Sequence, residues 1–506
     1  MYRRTFLRLS SISLLTSFLN ACQREENDIA FDIEVHSDME TGHILLKAQN
    51  YVREEILEKD ILIVGAGLAG LSAAHQLRNR DIVVCELGDS IGGSSSSNSH
   101  LGISFAEGAH YDMAYPRYFG KEVLEFLEEL NIIEFNHFSN LWEFIDKHFT
   151  IRKNFQNRFF NQGKYTKEIF GQDDLTSSFF EMLRPFQNKM TLPTRLLDKE
   201  LHNLNDRSFG DFLKEHLKIT NEFLRSVDYN MLDDYGGTSN DVSALAGIHY
   251  YKCRPYHDQY VELFSPPQGN AYFTEKMEKG IPRPSLLTNH LVYKIEKAGN
   301  RFQVDVIDVK KKKIKQFQVN YVIYAGQKHA LKYIMPEDGH LFEENVYAPW
   351  IVMNFILRNE VDQTGFWQNE IFSENNNFLG FVDSNTQHAE SDQYRILTAY
   401  FCFTPNQRKE LIEISNAPHA LVNKTVQQIE KYFKRPIAKH IEKVYMKVMG
   451  HAMPVPVPGF LFKDQNEKRT YQNLIYAGVD NGRLPLLFEA IDSGIEASKI
   501  ISRRSI

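Results

Sequence analysis

The sequence predicts an α/β fold built on a doubly wound parallel sheet. The prediction rests on the order of strands, glycine turn, helix and acidic residue between residues 60 and 86. After Asp60, residues 61–64 are continuously apolar, as in a parallel strand that is buried on both faces. A glycine-rich turn at 65–70 and a helical segment at 71–77 follow directly. A second apolar strand at 82–85 ends in Glu86. Strand, glycine turn, helix, strand and acid in this order are typical of a Rossmann-like dinucleotide-binding unit.

The glycines of this turn have separate physical roles. Gly65 permits the tight turn, Gly67 lets the backbone approach a pyrophosphate, and Gly70 lets the helix pack closely on the strand. The start of the helix offers unpaired N–H groups to an anion, and Glu86 can accept hydrogen bonds from a ribose. The residues predicted to contact the nucleotide here are Gly65, Ala66, Gly67, Leu68, Ala69, Gly70, Glu86 and Leu87.

Composition excludes several classes of protein. The chain has 506 residues, a net charge of −7, 42% hydrophobic and 24% charged residues, which argues against a disordered, polytopic membrane or nucleic-acid-binding protein. Four cysteines are too few for a disulfide scaffold, and Cys85, Cys253 and Cys402 are expected to be buried free thiols. No H-E-x-x-H, C-x-x-C or G-x-S-x-G motif occurs, so no metal site and no serine hydrolase site are predicted.

The first residues indicate an export signal. Arg3 and Arg4 precede an apolar run at 9–19 that is far shorter than the ~20 residues needed to span a bilayer. Residues 3–8 resemble a twin-arginine signal, and 19–22 resemble a bacterial lipobox ending in Cys22. The resemblance implies acylation of Cys22 and export of the folded protein to the periplasm or cell envelope, with Gln23 slightly favouring the outer membrane. A disordered basic start with an incidental cysteine is the alternative.

Further motifs after Glu86 narrow the choice of nucleotide. A Gly-Gly pair at 92–93, a serine run at 94–97 and Glu-Gly-Ala-His at 107–110 make the chain resemble the flavin amine oxidase and phytoene desaturase superfamily, whose dinucleotide is FAD. The family usually has Arg where this chain has a serine, and the serine run either donates hydroxyl hydrogen bonds instead or forms a flexible loop. The resemblance implies FAD contacts from Gly92, Gly93, Ser94, Gly108, Ala109 and His110.

Two distant segments are expected to complete the FAD domain. Alternating residues at 291–295, 302–306 and 317–319 predict antiparallel strands, with the lysines at 310–313 as a solvated hairpin tip. Apolar strands are also predicted at 321–326 and 473–480, and a helix is predicted near 488–495. By resemblance, Val292 contacts the adenine, Ala325 and Gly326 end a strand of the FAD domain, and Gly478, Val479, Asp480 and Ala490 lie by the ribityl chain and flavin.

The resemblance also implies how the chain is divided. An α+β substrate domain is expected to be interleaved with an FAD domain made of three segments. The expected parts are a signal at 1–21, a tether and N-terminal arm at 22–58, FAD segments at 59–116, 261–345 and 450–506, a mainly helical substrate segment at 117–260 and a second substrate segment at 346–449.

The implied chemistry is transfer of a hydride from a small or amphipathic substrate to flavin N5, with an envelope electron acceptor or O2 taking the electrons. Leu486 stands where amine oxidases often have an aromatic cage residue, and Pro485 replaces the neighbouring glycine. A C–C desaturase or isomerase acting on an apolar substrate is therefore the first alternative. A non-catalytic binding factor stabilised by FAD is the second, and the lysine that commonly holds a water near N5 is not identified.

Several polar side chains are candidates for the pocket. His110 and His451 are candidate catalytic residues, while His249, Tyr250 and Arg254 are candidate substrate contacts. Each histidine could instead be structural, with its ring satisfied by the backbone.

Overall fold

The fold was analysed in a computed structural model that describes residues 31–47, 49–109, 119–151, 156–253, 263–358, 364–372, 377–387 and 393–504. The predicted α/β class is confirmed, because two large mixed sheets are combined with helices.

The strands in chain order are β1 (Asp32–His36), β2 (Val52–Val64), β3 (Ile82–Cys85), β4 (Ser97–His100), β5 (Ile103–Ala106), β6 (Ile133–Asn136), β7 (Leu141–Phe144), β8 (Thr150–Ile151), β9 (Asn157–Asn161), β10 (Lys164–Thr166), β11 (Leu263–Phe264), β12 (Leu286–Leu287), β13 (His290–Ala298), β14 (Arg301–Asp308), β15 (Lys313–Tyr324), β16 (Tyr347–Arg358), β17 (Gln368–Phe372), β18 (Phe378–Asp383), β19 (Tyr394–Cys402), β20 (Ile441–Pro454) and β21 (Leu474–Tyr476).

The α-helices in chain order are α1 (Met39–Gly42), α2 (Leu68–Gln76), α3 (Lys121–Glu129), α4 (Asp174–Leu183), α5 (Phe209–His216), α6 (Asn221–Tyr235), α7 (Ala244–Cys253), α8 (Ala271–Glu278), α9 (Leu331–Ile334), α10 (Pro336–Gly339), α11 (Glu410–Asn416), α12 (His419–Phe433) and α13 (Leu487–Arg504).

The first large sheet has seven strands and is the Rossmann-like part of the molecule. Its order is β12-β3-β2-β15-β14-β13, and β21 also pairs with β15. Strands β12, β3, β2, β15 and β21 run parallel to their neighbours, whereas β13 and β14 form an antiparallel extension. Alternate residues of β2 are buried on opposite faces, Ile61 and Ile63 in the core that includes α2 and α13, and Leu62 in a second core. This two-sided burial explains the continuous apolar run at 61–64.

The second large sheet has eight strands in the order β1-β20-β16-β19-β18-β17-β9-β10. Its central strand β16 is buried along almost its whole length. Helix α12 covers one face, where Val422, Val426 and Ile429 share a core with Met353 and Phe355. Strand β16 and helix α12 both lie in the second substrate segment that the sequence analysis expects at 346–449.

The structure differs from the sequence analysis at two places. Strand β2 begins at Val52 rather than near residue 60, because the long strand β15 pairs with it along its whole length and stabilises its polar first half. The segment expected to be mainly helical also contains strands: β6 and β7 form a hairpin, and β9 and β10 extend the second sheet. Strands β6 and β7, and strands β9 and β10, pair with their neighbours in the chain, and β9 also pairs with the distant strand β17.

A candidate dinucleotide-binding site at the carboxyl edge of the parallel strands

The glycine turn after β2 has the tight geometry that its sequence predicts. Gly65 has φ +89°, and its N–H donates to the Cys85 carbonyl oxygen over 2.8 Å. A Cβ on Gly70 would lie 1.9 Å from the Gly65 carbonyl oxygen, so only glycine fits where α2 packs on the turn. Leu68 and Ala69 are buried beneath the helix start.

The start of α2 leaves room for a ligand. Gly67 precedes the first residue of the helix and forms a bridge with Gly92 of the Gly-Gly pair. A Cβ on Gly67 would meet only the Gly92 carbonyl oxygen, at 3.9 Å, and a Cβ on Gly93 only the Gly67 Cα, at 3.8 Å. Helix N–H groups next to an open glycine cradle suit a pyrophosphate.

The serine run after the Gly-Gly pair is held in place. Ser94 is exposed, and its carbonyl oxygen accepts a hydrogen bond from the Ala109 N–H at 2.9 Å. A Cβ on Gly108 would lie 1.9 Å from the same oxygen, which explains the glycine there. Ser96 is only 4% exposed and its Oγ has no hydrogen-bond partner. A buried hydroxyl without a partner is costly, and this hydroxyl can reach a ligand only if the serine run moves when the ligand binds.

Glu86 lies at the end of β3, next to the glycine turn. Its carboxylate accepts hydrogen bonds from the Ala66 N–H at 2.7 Å and the Gly88 N–H at 2.9 Å. Burial raises the pKa of Glu86, while the two backbone hydrogen bonds oppose that rise. Its carbonyl oxygen accepts from the His290 N–H at 2.8 Å, which places the start of β13, with buried Val292, beside the expected ribose and adenine end. The side chain of Leu87 lies 3.9 Å from the position of a Cβ on Gly42 in the N-terminal arm.

Segments far apart in sequence meet at this edge. Ala325 follows β15, donates its N–H to the Val64 carbonyl oxygen at 2.9 Å, and lies 3.2 Å from the position of a Cβ on Gly65. The parallel neighbour β21 leads to Gly478, whose N–H donates to Ser493 Oγ at 2.9 Å. The carboxyl ends of β3, β2, β15 and β21 therefore lie along one edge, where open α/β sheets bind their ligands.

A buried ion pair closes the far end of this edge. Lys328 is 1% exposed, and its Nζ donates to Asp480 Oδ1 at 2.9 Å and to the Ala477 and Gly326 carbonyl oxygens. Asp480 Oδ2 accepts from the Lys328 N–H at 2.8 Å and the Tyr347 hydroxyl at 3.0 Å. Sequence analysis missed Lys328, although a lysine two residues after an Ala-Gly strand end was a signal. The ribityl contact expected from Asp480 stays a prediction, and its carboxylate already has a structural role.

The last helix, α13, begins next to the Gly478 turn. Ala490 and Val479 are partly exposed, whereas Leu486 is buried. Phe488 packs on Phe119 with 4.0 Å between ring centroids. Sequence analysis also missed Glu489, which is fully buried and accepts a hydrogen bond from the Thr194 N–H at 2.7 Å.

Three of the candidate catalytic and substrate residues, His249, Tyr250 and His451, lie in the part of the chain that the structure describes. His451 stacks on His329 with 3.7 Å between ring centroids, and burial lowers the pKa of His451 to about 3 and that of His329 to about 4. His249 is 1% exposed, and its Nε2 lies 3.0 Å from the Thr191 carbonyl oxygen, while Tyr250 packs against the ring of Tyr251. The other predicted residues, His110, Arg254 and Cys22, lie outside the described residues.

In the part of the chain that the structure describes, no three His, Cys, Asp or Glu side chains are grouped so that they could hold a metal ion. Helices in these ranges are all too short or too polar to cross a bilayer. The prediction of buried free thiols is confirmed for Cys85 and Cys402, and Cys253 is also buried.

Comparison with known proteins agrees with this architecture. The NAD(P)-binding Rossmann-like domain family matches residues 63–130, and no curated protein matches the sequence. Three similar solved structures are a putrescine oxidase bound to putrescine (13% identity, TM-score 0.64), a putative protoporphyrinogen oxidase from Exiguobacterium (14%, 0.61) and cyclohexylamine oxidase from Brevibacterium oxydans (13%, 0.59). Each alignment covers 89% of this chain and 100% of the other. The chain is therefore an α/β protein with a Rossmann-like dinucleotide-binding domain and the overall fold of these oxidases.

Proposed function

We propose that this chain is an FAD-dependent oxidoreductase that takes a hydride from a small or amphipathic organic substrate. The observation that carries the proposal is the meeting of Gly65, Ala325 and Gly478 at one sheet edge, beside a glycine cradle and the unpartnered Ser96 hydroxyl. The Rossmann-like match and the fold shared with amine oxidases support FAD as the dinucleotide.

Bound FAD supplies the hydride acceptor, N5 of its isoalloxazine ring. The chain binds and orients it. With FAD bound, the N–H groups at the start of α2 would bind the pyrophosphate, Glu86 would accept hydrogen bonds from ribose hydroxyls, and Ser96 would donate one to the cofactor. The N-terminus of α13 would favour negative charge near the flavin N1–C2=O edge.

Flavin content and its reduction test this proposal. The protein, purified after expression with FAD, is expected to be yellow, with absorbance near ~370 and ~450 nm. Anaerobic mixing with a panel of primary amines and polyamines is expected to bleach the ~450 nm band with at least one member, and O2 is expected to restore it. A colourless protein that takes up no FAD on reconstitution would contradict the proposal.

Ser96→Ala tests the cofactor cradle directly. Because a hydrogen bond contributes about 0.5–1.5 kcal/mol, its loss is expected to weaken FAD binding about three- to tenfold. Thermal stability without cofactor should not fall, since the hydroxyl has no partner in the protein. The control is Ser99→Ala, at an exposed serine of β4. Equal FAD dissociation constants for Ser96→Ala and the wild type would exclude this role.

A C–C desaturase or isomerase is the second candidate, favoured by one specific observation. Leu486 is buried where amine oxidases often carry an aromatic cage residue, so an apolar wall replaces a ring that would face an amine. Anaerobic bleaching by apolar polyenes, with new double bonds or isomers among the products, would support this candidate over amine oxidation. A flavin that no substrate bleaches would support the non-catalytic binding factor instead.

We also propose that the protein acts in the bacterial envelope, anchored through Cys22, and that O2 or an envelope acceptor reoxidises it. Labelled palmitate is expected to enter the wild type and not Cys22→Ser. Replacing Arg3 and Arg4 together by lysine is expected to keep the protein in the cytoplasm. Equal labelling of Cys22→Ser would contradict the lipid anchor.

A further inference from the structure

The N-terminal arm reaches the candidate site through His36. Strand β1 of this arm pairs in parallel with β20 at the edge of the eight-stranded sheet, with His36 opposite Lys447. The Nδ1 of His36 lies 2.6 Å from Glu107 Oε1, and its Nε2 lies 2.6 Å from Glu34 Oε1. Ionised carboxylates only accept hydrogen bonds, so both ring nitrogens must donate and the ring is an imidazolium.

Glu107 connects His36 to the serine run at 94–97. Its side chain is 6% exposed and also accepts a hydrogen bond from Asn98 Nδ2 at 3.0 Å. Its N–H donates to the Ser96 carbonyl oxygen at 3.0 Å, in the same serine whose hydroxyl lacks a partner. Two residues later, the Ala109 N–H donates to the Ser94 carbonyl oxygen. The position of Glu107 is therefore coupled to that of the serine run that follows the Gly-Gly pair.

The charges around this contact favour a cationic His36. Glu34 faces it from its own strand and Glu107 from the turn after β5, while β20 contributes Lys443, Tyr445 and Lys447. Lys443 is paired with Glu34, and Lys447 lies 3.5 Å from Asp38. Hydrogen bonding to Glu107 raises the pKa of His36 to about 9, with Glu34 adding to the rise and burial opposing it.

Loss of this cation would leave Glu107 poorly compensated. Besides His36, the hydrogen-bond donor to its side chain among the described residues is the neutral Asn98 amide, and a buried carboxylate without a hydrogen-bonded cation is strongly destabilised. The turn at 107–109 would then shift or open to solvate the carboxylate. Since that turn is hydrogen-bonded to Ser94 and Ser96, the cofactor cradle would shift with it.

We propose that His36 is a positioning residue that holds Glu107 as an imidazolium and thereby sets the serine run for FAD, so that the N-terminal arm is part of the cofactor site. This inference rests on the proposed FAD function. It assigns the arm a role in binding the cofactor, beyond its expected role as a tether.

The test compares FAD dissociation constants at pH 7 for the full chain and its variants. His36→Gln and Glu107→Gln are each expected to weaken binding tenfold or more. Because both act through one contact, the double variant should be no weaker than the weaker single variant. His36→Arg keeps the charge and two donors and is expected to stay within about threefold of the wild type. The matched control is His340→Gln, an exposed histidine whose Nδ1 meets only the Glu337 carbonyl oxygen.

A pH titration gives a readout that does not depend on any variant folding. Wild-type FAD affinity is expected to fall as the pH rises through about 9, where His36 loses its proton. The same titration of His36→Gln should lack this step. Wild-type protein that binds FAD, with His36→Gln matching it in affinity and pH dependence, overturns this inference alone. Wild-type protein that binds no FAD overturns both this inference and the proposed function.

Discussion

Gly70, like Gly108, has a very close steric limit in the candidate site. An alanine Cβ there would lie 1.9 Å from the Gly65 carbonyl oxygen, so α2 would have to move away from the turn. We expect Gly70→Ala to abolish FAD binding and to cost about 1–3 kcal/mol or more in the free energy of unfolding, as overpacking does. FAD content and urea unfolding measure the two effects.

A second glycine provides the control for Gly70. Gly171 is exposed, and a Cβ there would meet only the Asp173 side chain, at 3.4 Å or more. Gly171→Ala should keep FAD content and stability. Full FAD content in Gly70→Ala would mean that the turn is less tightly packed than the structure indicates.

Some residues of the candidate site could be predicted from the sequence, and others could not. The positions of Gly65, Gly67, Gly70 and Glu86 could be predicted because their roles depend on neighbours within about 25 residues of sequence. Lys328 could not, since its partner Asp480 lies 152 positions away. Neither a lysine nor an aspartate has a local pattern that shows it is buried.

Between elements, the Lys328–Asp480 pair joins the end of β15 to the loop after β21. Removing one member leaves the other charge buried, which typically costs about 3–5 kcal/mol. We expect Lys328→Met and Asp480→Leu each to destabilise by about this amount, and the double variant by much less than their sum. Urea unfolding measures all three.

An exposed ion pair is the control for this cycle. Lys121 and Glu125 lie one turn apart on α3 with 3.5 Å between charged atoms, and both are mostly exposed. Lys121→Met should change the free energy of unfolding by less than about 1 kcal/mol. If the double variant at 328 and 480 lost as much as the sum of the single variants, the pair would not be coupled as described.

The docking of β1 on β20 gives the protein a specific pH dependence. His36 has a folded-state pKa of about 9, above its unfolded value of ~6.5. Its contribution is therefore fully present below about pH 6.5 and is lost as the pH rises through about 9. The melting temperature of the wild type should fall between pH 6 and 10, and part of this fall should be absent in His36→Gln. If the melting temperatures of the two proteins depend on pH in the same way, this expectation is wrong.

Over the whole molecule, the cofactor should stabilise parts of the chain that are distant in sequence. The carboxyl ends of β3, β2, β15 and β21 meet along one edge, so a ligand there holds them together only in the folded state. FAD at about 100 times its dissociation constant should add about 2.7 kcal/mol to the free energy of unfolding. A melting curve of the cofactor-free protein with added FAD measures this.

Riboflavin is the control for whole-molecule stabilisation. It lacks the pyrophosphate and adenosine that the glycine cradle and Glu86 are expected to bind. Riboflavin should therefore raise the melting temperature much less than FAD at the same concentration. An equal shift would mean that the adenosine end of the site contributes nothing to binding.

The sequence by itself determined the fold class, the glycine turn and the order of strand, turn, helix and strand between residues 60 and 86. These features follow from local backbone geometry and from burial of the strands on both faces. Only the tertiary structure decided which residues contact each other, as in the Lys328–Asp480 pair and the contact of His36 with Glu107. It also decided that the Ser96 hydroxyl is buried without a hydrogen-bond partner. Such contacts depend on how β1, β15 and β21 are placed in their sheets. Strand pairing between distant segments follows from packing of the whole chain, so short-range periodicity in the sequence does not predict it.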